Sequence, residues 1–130
     1  MAEARGAGVN MLVLRIFAPV LIVVGVLGFV LPESMAMTSG AAPYNVFHIV
    51  FGLIGLGCVA SKQLSLVRAF TIGFGAIDLY QAVASFAGLW PKALFQWKTA
   101  DDVLHIVIGL LLVGVGVLAD RATNAAPQKA

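Results

Sequence analysis

Two histidines occupy equivalent positions in a repeated segment. His48 and His105 are the only histidines of the chain, and they lie 57 residues apart. At that offset, residues 45–60 match residues 102–117 at seven of sixteen positions. Each histidine follows a polar residue by three positions and precedes a glycine by four; these flanking residues are Asn45, Gly52, Asp102 and Gly109. Helices related by this repeat would hold two imidazoles at one depth.

The paired imidazoles allow two different roles. As neutral ligands, His48 and His105 could bind the iron of haem b or the magnesium of a chlorophyll-type pigment. Alternatively, each histidine lies three residues into its helix and bonds back to its cap, Asn45 or Asp102. The Asp102–His105 pair could also hold a proton near neutral pH. We expect the capping role and no cofactor, because the His-x-x-x-Gly spacing also serves plain helix packing.

A carboxylate lies in the middle of the third apolar segment. At mid-membrane, Asp78 costs about 2.5 kcal/mol or more unless it is paired or lines a cavity. Gln81 and Ser85 follow three and seven residues later, on the same helical face. Asp78 is therefore predicted to face protein. It then either belongs to a functional site, such as a proton path, or bonds across the bundle or to a partner subunit.

The composition of the chain is typical of a protein whose helices are surrounded by lipid rather than by water. Of 130 residues, 61% are hydrophobic and 11% charged, against about 45–50% and about 25% in soluble domains. The mean hydropathy is +1.00. The net charge of +2 comes from basic residues spread around apolar spans, which does not indicate nucleic-acid binding. The single cysteine, Cys58, excludes an intrachain disulfide, and the sequence has no P-loop or Gly-x-Ser-x-Gly motif.

The apolar segments predict four transmembrane helices in one domain, at about 11–31, 45–60, 64–90 and 101–119. Each is close to the roughly 20 residues that cross a bilayer. The first also has the charge and apolar pattern of a signal peptide, but we expect it to be retained as a helix. Asn45 and either Asp101 or Asp102 are the predicted N-caps.

Basic residues predict the orientation. Six Lys or Arg residues flank the spans on one side and two, Lys92 and Lys98, on the other. The positive-inside rule then places both termini in the cytoplasm of a multi-pass inner-membrane protein. Tyr44, Trp90 and Trp97 fall on the opposite side, as an aromatic belt would. A hairpin repeated in tandem keeps its orientation in the membrane. The two hairpins would therefore be related by a pseudo-two-fold axis along the membrane normal.

The paired motifs resemble an uncharacterised bacterial family of small four-helix membrane proteins, known only as a domain of unknown function. The family's Asn-x-x-His-x-x-x-Gly and Asp-x-x-Leu-His-x-x-x-Gly patterns are matched by Asn45, His48, Gly52, Asp102, Leu104, His105 and Gly109. Gly25–Phe29 and Tyr80 match further positions, whereas Asp78 matches none. The resemblance implies the fold and a bacterial source, and no activity.

The sequence thus predicts an all-α integral membrane four-helix bundle made of two tandem transmembrane hairpins. The expected function is non-enzymatic, as an accessory or structural subunit of a larger membrane complex. Its expected partners are the lipid bilayer and other membrane subunits or further copies of the chain, with no nucleic acid. The alternatives are a haem b or chlorophyll-type pigment held by His48 and His105, and a small transporter or proton path through Asp78.

Overall fold

The computed structural model describes residues 8–121, and this part of the chain is all-α. Its helices are α1 (Val9–Val30), α2 (Ala42–Ser61), α3 (Leu64–Ala87), the short α4 (Lys92–Phe95) and α5 (Thr99–Leu118), with a 3-10 turn at Glu33–Met35. The four longer helices are each long and apolar enough to cross a membrane. The predicted fold class, an all-α four-helix membrane bundle, is confirmed.

The four long helices pack as two pairs. α1 lies along α2, and α3 lies along α5, with smaller contacts between the pairs. The segments 31–41 and 88–98 lie at one end of the bundle, which we call the long-loop end. The start of α1, the end of α5 and the turn at residues 62–63 lie at the other, the termini end.

Glycines let the two helices of each pair approach closely. A Cβ on Gly52 would lie 2.8 Å from the Ala18 carbonyl oxygen, and one on Gly109 would lie 3.0 Å from that of Gly75. These two contacts differ by 57 residues at both partners, the offset of the histidine repeat. Gly57, on the same helix as Gly52, has no atom within 4 Å of a built Cβ. An internal duplication stays a prediction that the recurring contact supports.

The helix boundaries differ from the predicted ones, and the first turns differ most. α2 starts at Ala42 with a proline in its first turn, which places Asn45 inside the helix rather than at its cap. α5 starts at Thr99, so Asp102 is likewise not the cap. α3 ends at Ala87, before Trp90, because Gly88 adopts a left-handed φ of 71° that closes the helix.

Hydrogen bonds between distant parts of the chain connect the helices at the termini end. The Asp120 carboxylate accepts the backbone N–H groups of Val9 and Asn10 at 2.9 and 2.8 Å. It therefore caps α1 from beyond the end of α5. In turn, Arg68 Nε donates to the Gly116 carbonyl at 2.9 Å near the end of α5.

The predicted aromatic belt is wrong for two of its three members. Trp90 is 76% exposed, as a belt residue should be. Tyr44 and Trp97 are buried at the long-loop end and pack in one cluster with Ala84. Their hydroxyl and indole N–H groups bond to polar side chains inside the protein rather than to the membrane interface.

Candidate functional site

A cavity of about 80 Å³ lies inside the long-loop half of the bundle. Its polar lining residues are Thr38, Tyr44, His48, Asp78, Asp101 and His105. Its apolar lining comes from α1, α3 and α5, through Phe17, Val20, Leu21, Val24, Phe74, Leu104 and Ile108. The structure therefore brings together both histidines and the mid-membrane aspartate, residues that the sequence treated as separate features.

The Tyr44 hydroxyl joins the two histidine repeats. Its oxygen lies 2.9 Å from Asp101 Oδ1 and 2.8 Å from His105 Nε2. All three side chains are buried. Tyr44 belongs to α2 and the other two residues to α5, so the contact crosses from one helix pair to the other. A phenol, a carboxylate and an imidazole in this order form a short chain of hydrogen bonds.

Backbone donors hold Asp101 in place. Its Oδ2 accepts the N–H groups of Ser39 and Lys98, both at 2.8 Å. Ser39 belongs to the segment between α1 and α2, so Asp101 fixes this segment against the start of α5. Lys98 adds an ion pair with Glu33, Nζ to Oε2 at 2.8 Å. The long-loop end of the cavity is thus covered by an anchored segment.

His48 lies beside this chain of hydrogen bonds on α2. Its ring contacts the Tyr44 ring edge-on, with centroids 4.2 Å apart. Its Nδ1 lies near the Tyr44 carbonyl, outside hydrogen-bond geometry, and has no partner among the described residues. His48 is 8% exposed. Counted from Ala42, it lies about 9 Å down α2, deeper than the sequence predicted.

The predicted capping role of the histidines is wrong. The His105 bond goes to Tyr44 of the other helix pair, not to Asp102 of its own helix. Asp102 Oδ1 is buried without a partner among residues 8–121. Asn45 Nδ2 instead donates to the Gly40 carbonyl at 2.9 Å. The early starts of α2 and α5 put both polar residues inside the first turns, where they no longer cap.

Asp78, on α3, faces the protein, and only 3% of its surface is exposed. Gln81 Nε2 donates to Asp78 Oδ1 at 3.3 Å, and Trp97 Nε1 donates to Gln81 Oε1 at 3.1 Å. Gln81, which was predicted to share a helical face with Asp78, thus connects Asp78 to Trp97. The Trp97 ring also packs edge-on against the His105 ring, with centroids 6.2 Å apart. Asp78 and His105 line the same cavity and are linked behind it through Gln81 and Trp97.

Five phenylalanine rings pack together beside the cavity, with Phe51 and Phe70 on its termini side: Phe17, Phe47, Phe51, Phe70 and Phe74. The Phe74 ring is central, with centroid distances of 5.3 to 5.8 Å to the other four. The residues of this cluster offer no polar group that would carry a proton or ion toward the termini end. This packing argues against a continuous path through Asp78.

The site does not fit the haem or chlorophyll that the paired histidines suggested. Pockets that enclose cofactor-sized ligands measure roughly 300–1,000 Å³, whereas this cavity measures about 80 Å³. His105 Nε2 is also already bonded to Tyr44. Among residues 8–121, no group of three or more His, Cys, Asp or Glu side chains is placed to hold a metal ion.

Two residues of the site were not predicted from the sequence to take part in its hydrogen bonds. The sequence assigned Tyr44 to an aromatic belt and Asp101 to a helix cap. A signal was present, because Tyr44 and Asp101 are themselves 57 residues apart and directly precede Asn45 and Asp102. Extending the repeat by one residue at its start would have paired them.

Searches of family models, of curated proteins and of solved structures each found no match for this sequence. The resemblance to the four-helix bacterial family therefore stays a prediction. The function is inferred from the geometry of the cavity.

Proposed function

We propose that this small membrane protein binds a small molecule, without transforming it, in the cavity that α1, α2, α3 and α5 line. The observation that carries the proposal is free space inside the bundle that is lined by several polar side chains, among them Tyr44, Asp78 and Asp101. His48 and His105 each line the cavity, and each has a buried Nδ1 without a hydrogen-bond partner among the described residues. Both Nδ1 atoms are fully buried, so the polar groups that reach the free space, rather than these two atoms, would hold a ligand.

The size of the cavity limits its occupant. One ordered water needs roughly 10–15 Å³ of such free space, and the cavity measures about 80 Å³. The occupant is therefore a small molecule, or the cavity holds several waters. The cavity lies in the long-loop half of the bundle, because the phenylalanine cluster fills the other side. In the orientation predicted from the basic residues, that half faces away from the cytoplasm.

The roles predicted from the sequence are compatible with this proposal. An inner-membrane accessory subunit, or an oligomer of this chain, could carry such a site, and both roles stay predictions. A catalytic role is not part of the proposal. The proton path is the weaker alternative, because the phenylalanine cluster separates Asp78 from the termini end.

The test measures ligand binding to a variant in which a larger side chain fills the cavity and to a control variant on the same helix. Trp97, which packs against His105, reports binding by its fluorescence once Trp90→Phe has removed the other tryptophan. Ammonium, methylammonium, formate, acetone and ethanol serve as probes. Ile108→Phe places a larger side chain into the cavity, whereas Leu110→Phe changes a residue that is 61% exposed on the outside of α5.

We expect at least one probe to give a saturable response that Ile108→Phe abolishes and Leu110→Phe preserves. The proposal is overturned if no probe gives a saturable response, or if Ile108→Phe leaves the response unchanged. A visible spectrum of the purified protein adds an independent check. A Soret band would contradict the size argument and restore the haem interpretation.

A further inference from the structure

The cavity is covered on three of its sides by packed or hydrogen-bonded groups. Toward the long-loop end, the segment that Asp101 anchors lies over it. Toward the termini end, Phe51 and Phe70 belong to the phenylalanine cluster. Between α2 and α3, the buried rings of Tyr44 and Trp97 pack in one cluster. The side between α1 and α5 is the one that these groups do not cover.

The helices α1 and α5 contact each other little, and their hydrogen bonds lie at the termini end. There, Asn10 Nδ2 donates to the carbonyl oxygens of Val115 and Ala119 at 3.2 and 3.3 Å. Among residues 8–121, no hydrogen bond joins the two helices beside the cavity. The wall between α1 and α5 therefore consists of apolar side chains alone in this half of the bundle.

Three aliphatic side chains belong both to the cavity lining and to the outer surface of the bundle. Val20 and Val24 on α1 are 47% and 36% exposed, and Leu104 on α5 is 45% exposed. Counted from the helix ends at Val30 and Thr99, they lie about 15, 9 and 7.5 Å below the long-loop end. Because the hydrocarbon core is about 30 Å thick, this part of the wall faces acyl chains rather than water.

Two polar atoms of the lining have neither a partner nor full enclosure. Gln81 donates to one carboxyl oxygen of Asp78, and the other oxygen, Oδ2, has no hydrogen-bond partner among residues 8–121. His48 Nε2 likewise has no partner in this part of the chain. Neither atom is among the fully buried unpartnered atoms, which distinguishes both from His48 Nδ1. Both therefore keep accessible surface, and both residues line the cavity.

A hydroxyl group can pair with these two atoms whatever protons they carry. It donates one hydrogen bond and accepts others, so it meets a carboxyl group or an imidazole nitrogen in either role. A carboxylate or phosphate end is disfavoured, because no lysine or arginine among the described residues lines the cavity and a buried charge without a partner is costly. An ammonium end would require an ionised Asp78 in an apolar bundle, which is also costly.

We propose that the cavity binds the hydroxyl end of a single-chain alcohol that is dissolved in the bilayer and enters between α1 and α5. The hydroxyl group lies at Asp78 and His48, and the first carbons occupy the free space of about 80 Å³. The rest of the chain passes Val20 and Leu104 into the surrounding acyl chains. The proposal rests on the binding function proposed above and specifies the ligand class and its route.

The experiment compares decanol, decane and ethanol on the Trp90→Phe protein in lipid nanodiscs. Decanol supplies the chain and the hydroxyl group, decane supplies the chain alone, and ethanol supplies the hydroxyl group without the chain. Trp97 fluorescence again reports binding, because this ring packs against His105 at the cavity. We expect decanol to give a saturable response, decane to give none that saturates, and ethanol to bind more weakly than decanol.

Two pairs of variants test the route and the hydroxyl contact. Val20→Phe narrows the opening and should weaken decanol at least about tenfold, whereas Val23→Phe, on α1 but outside the lining, should stay within about twofold. Asp78→Leu should weaken decanol about three- to tenfold, the scale of one lost hydrogen bond. Asp78→Asn keeps a hydrogen-bonding group and should retain most of the affinity. Thr71→Val, which removes a buried hydroxyl of α3 outside the lining, is the control and should change the affinity less than about twofold.

Each part of the proposal has a result that overturns it. Equal saturable responses to decane and decanol, or unchanged decanol binding in Asp78→Leu, would overturn the hydroxyl contact. Equal decanol binding by Val20→Phe and Val23→Phe would overturn the route between α1 and α5. Saturable binding of ethanol with no response to decanol would overturn the long-chain ligand while leaving small-molecule binding intact. Failure of every probe, including those named for the binding function, would instead overturn that function.

Discussion

Removing the Tyr44 hydroxyl should weaken the contact between the two helix pairs. Tyr44→Phe keeps the ring in its buried position and deletes both of its hydrogen bonds. Asp101 retains its two backbone donors, whereas His105 Nε2 loses its partner in a buried site. A lost bond costs about 1 kcal/mol, and an orphaned buried group about 1–3 kcal/mol. Hydrogen bonds inside membrane proteins average only about 0.6 kcal/mol, which favours the lower part of the range that these two values sum to. We therefore expect the free energy of unfolding to fall by about 2 kcal/mol.

A double-mutant cycle separates this bond from the capping role. His105→Leu should cost less than Tyr44→Phe, because Tyr44 then keeps its bond to Asp101. The double variant should cost at least about 0.5 kcal/mol less than the sum of the two, as expected for residues in contact. His105→Leu and Asp102→Asn should instead be additive. The measurement is reversible unfolding in mixed detergent micelles with rising dodecyl sulfate, followed by far-ultraviolet circular dichroism.

Two results would refute the assignment. The first is a coupling between His105 and Asp102 as large as that between His105 and Tyr44, because helix capping predicts this pattern. The second is a Tyr44→Phe protein whose free energy of unfolding lies within about 0.3 kcal/mol of the wild type. Either result would mean that His105 satisfies its Nε2 within α5.

Three other changes test the packing, the termini end and the orientation. Gly52→Ala should cost about 1–3 kcal/mol, because its Cβ would lie 2.8 Å from the Ala18 carbonyl; equal stability of this variant and the open-space control Gly57→Ala would contradict the packing. Burial raises the pKa of Asp120, but hydrogen bonds from Asn10 and Val9 and the charge of Arg68 outweigh this and lower it. Its stabilisation is therefore present above its ordinary pKa of about 3.9 and is lost as pH falls through the lowered value. Asp120→Ala should cost about 1 kcal/mol at pH 7 and progressively less below about pH 4; a pH-independent difference would refute the carboxylate cap. In a Cys58→Ala background, an impermeant thiol reagent should label Met37→Cys and Thr99→Cys from outside intact cells but not Gln63→Cys, and the reverse pattern would invert the predicted orientation.

The C-terminus, which the basic residues predict to be cytoplasmic, lies outside the described residues, and so does Asn124 as a labelling position. Met37, Thr99 and Gln63 are exposed and lie at known ends of the bundle, which makes them the better labelling positions. Ser39 is unsuitable, since it is buried and its N–H bonds to Asp101.

The sequence alone determined the class of fold and the approximate spans. Hydropathy is a local property, and stretches of about 20 apolar residues have few stable alternatives in lipid. The repeat also placed His48 and His105 at comparable depth, because both follow equivalent helix starts. The starts themselves were displaced by about three residues, since a proline in the first turn of α2 and loop contacts to α5 decided them.

Only the tertiary structure decided which groups the histidines meet. In a membrane bundle the lipid-facing and buried sides of a helix are both apolar, so hydropathy does not give the rotation of each helix about its axis. That rotation turns Tyr44 and Trp97 inward and brings Tyr44 to His105, 61 residues away along the chain. It also places Asp78 at the same cavity and brings Asp120 to the start of α1. These contacts cross between helices, and their geometry follows from packing rather than from any local pattern of residues.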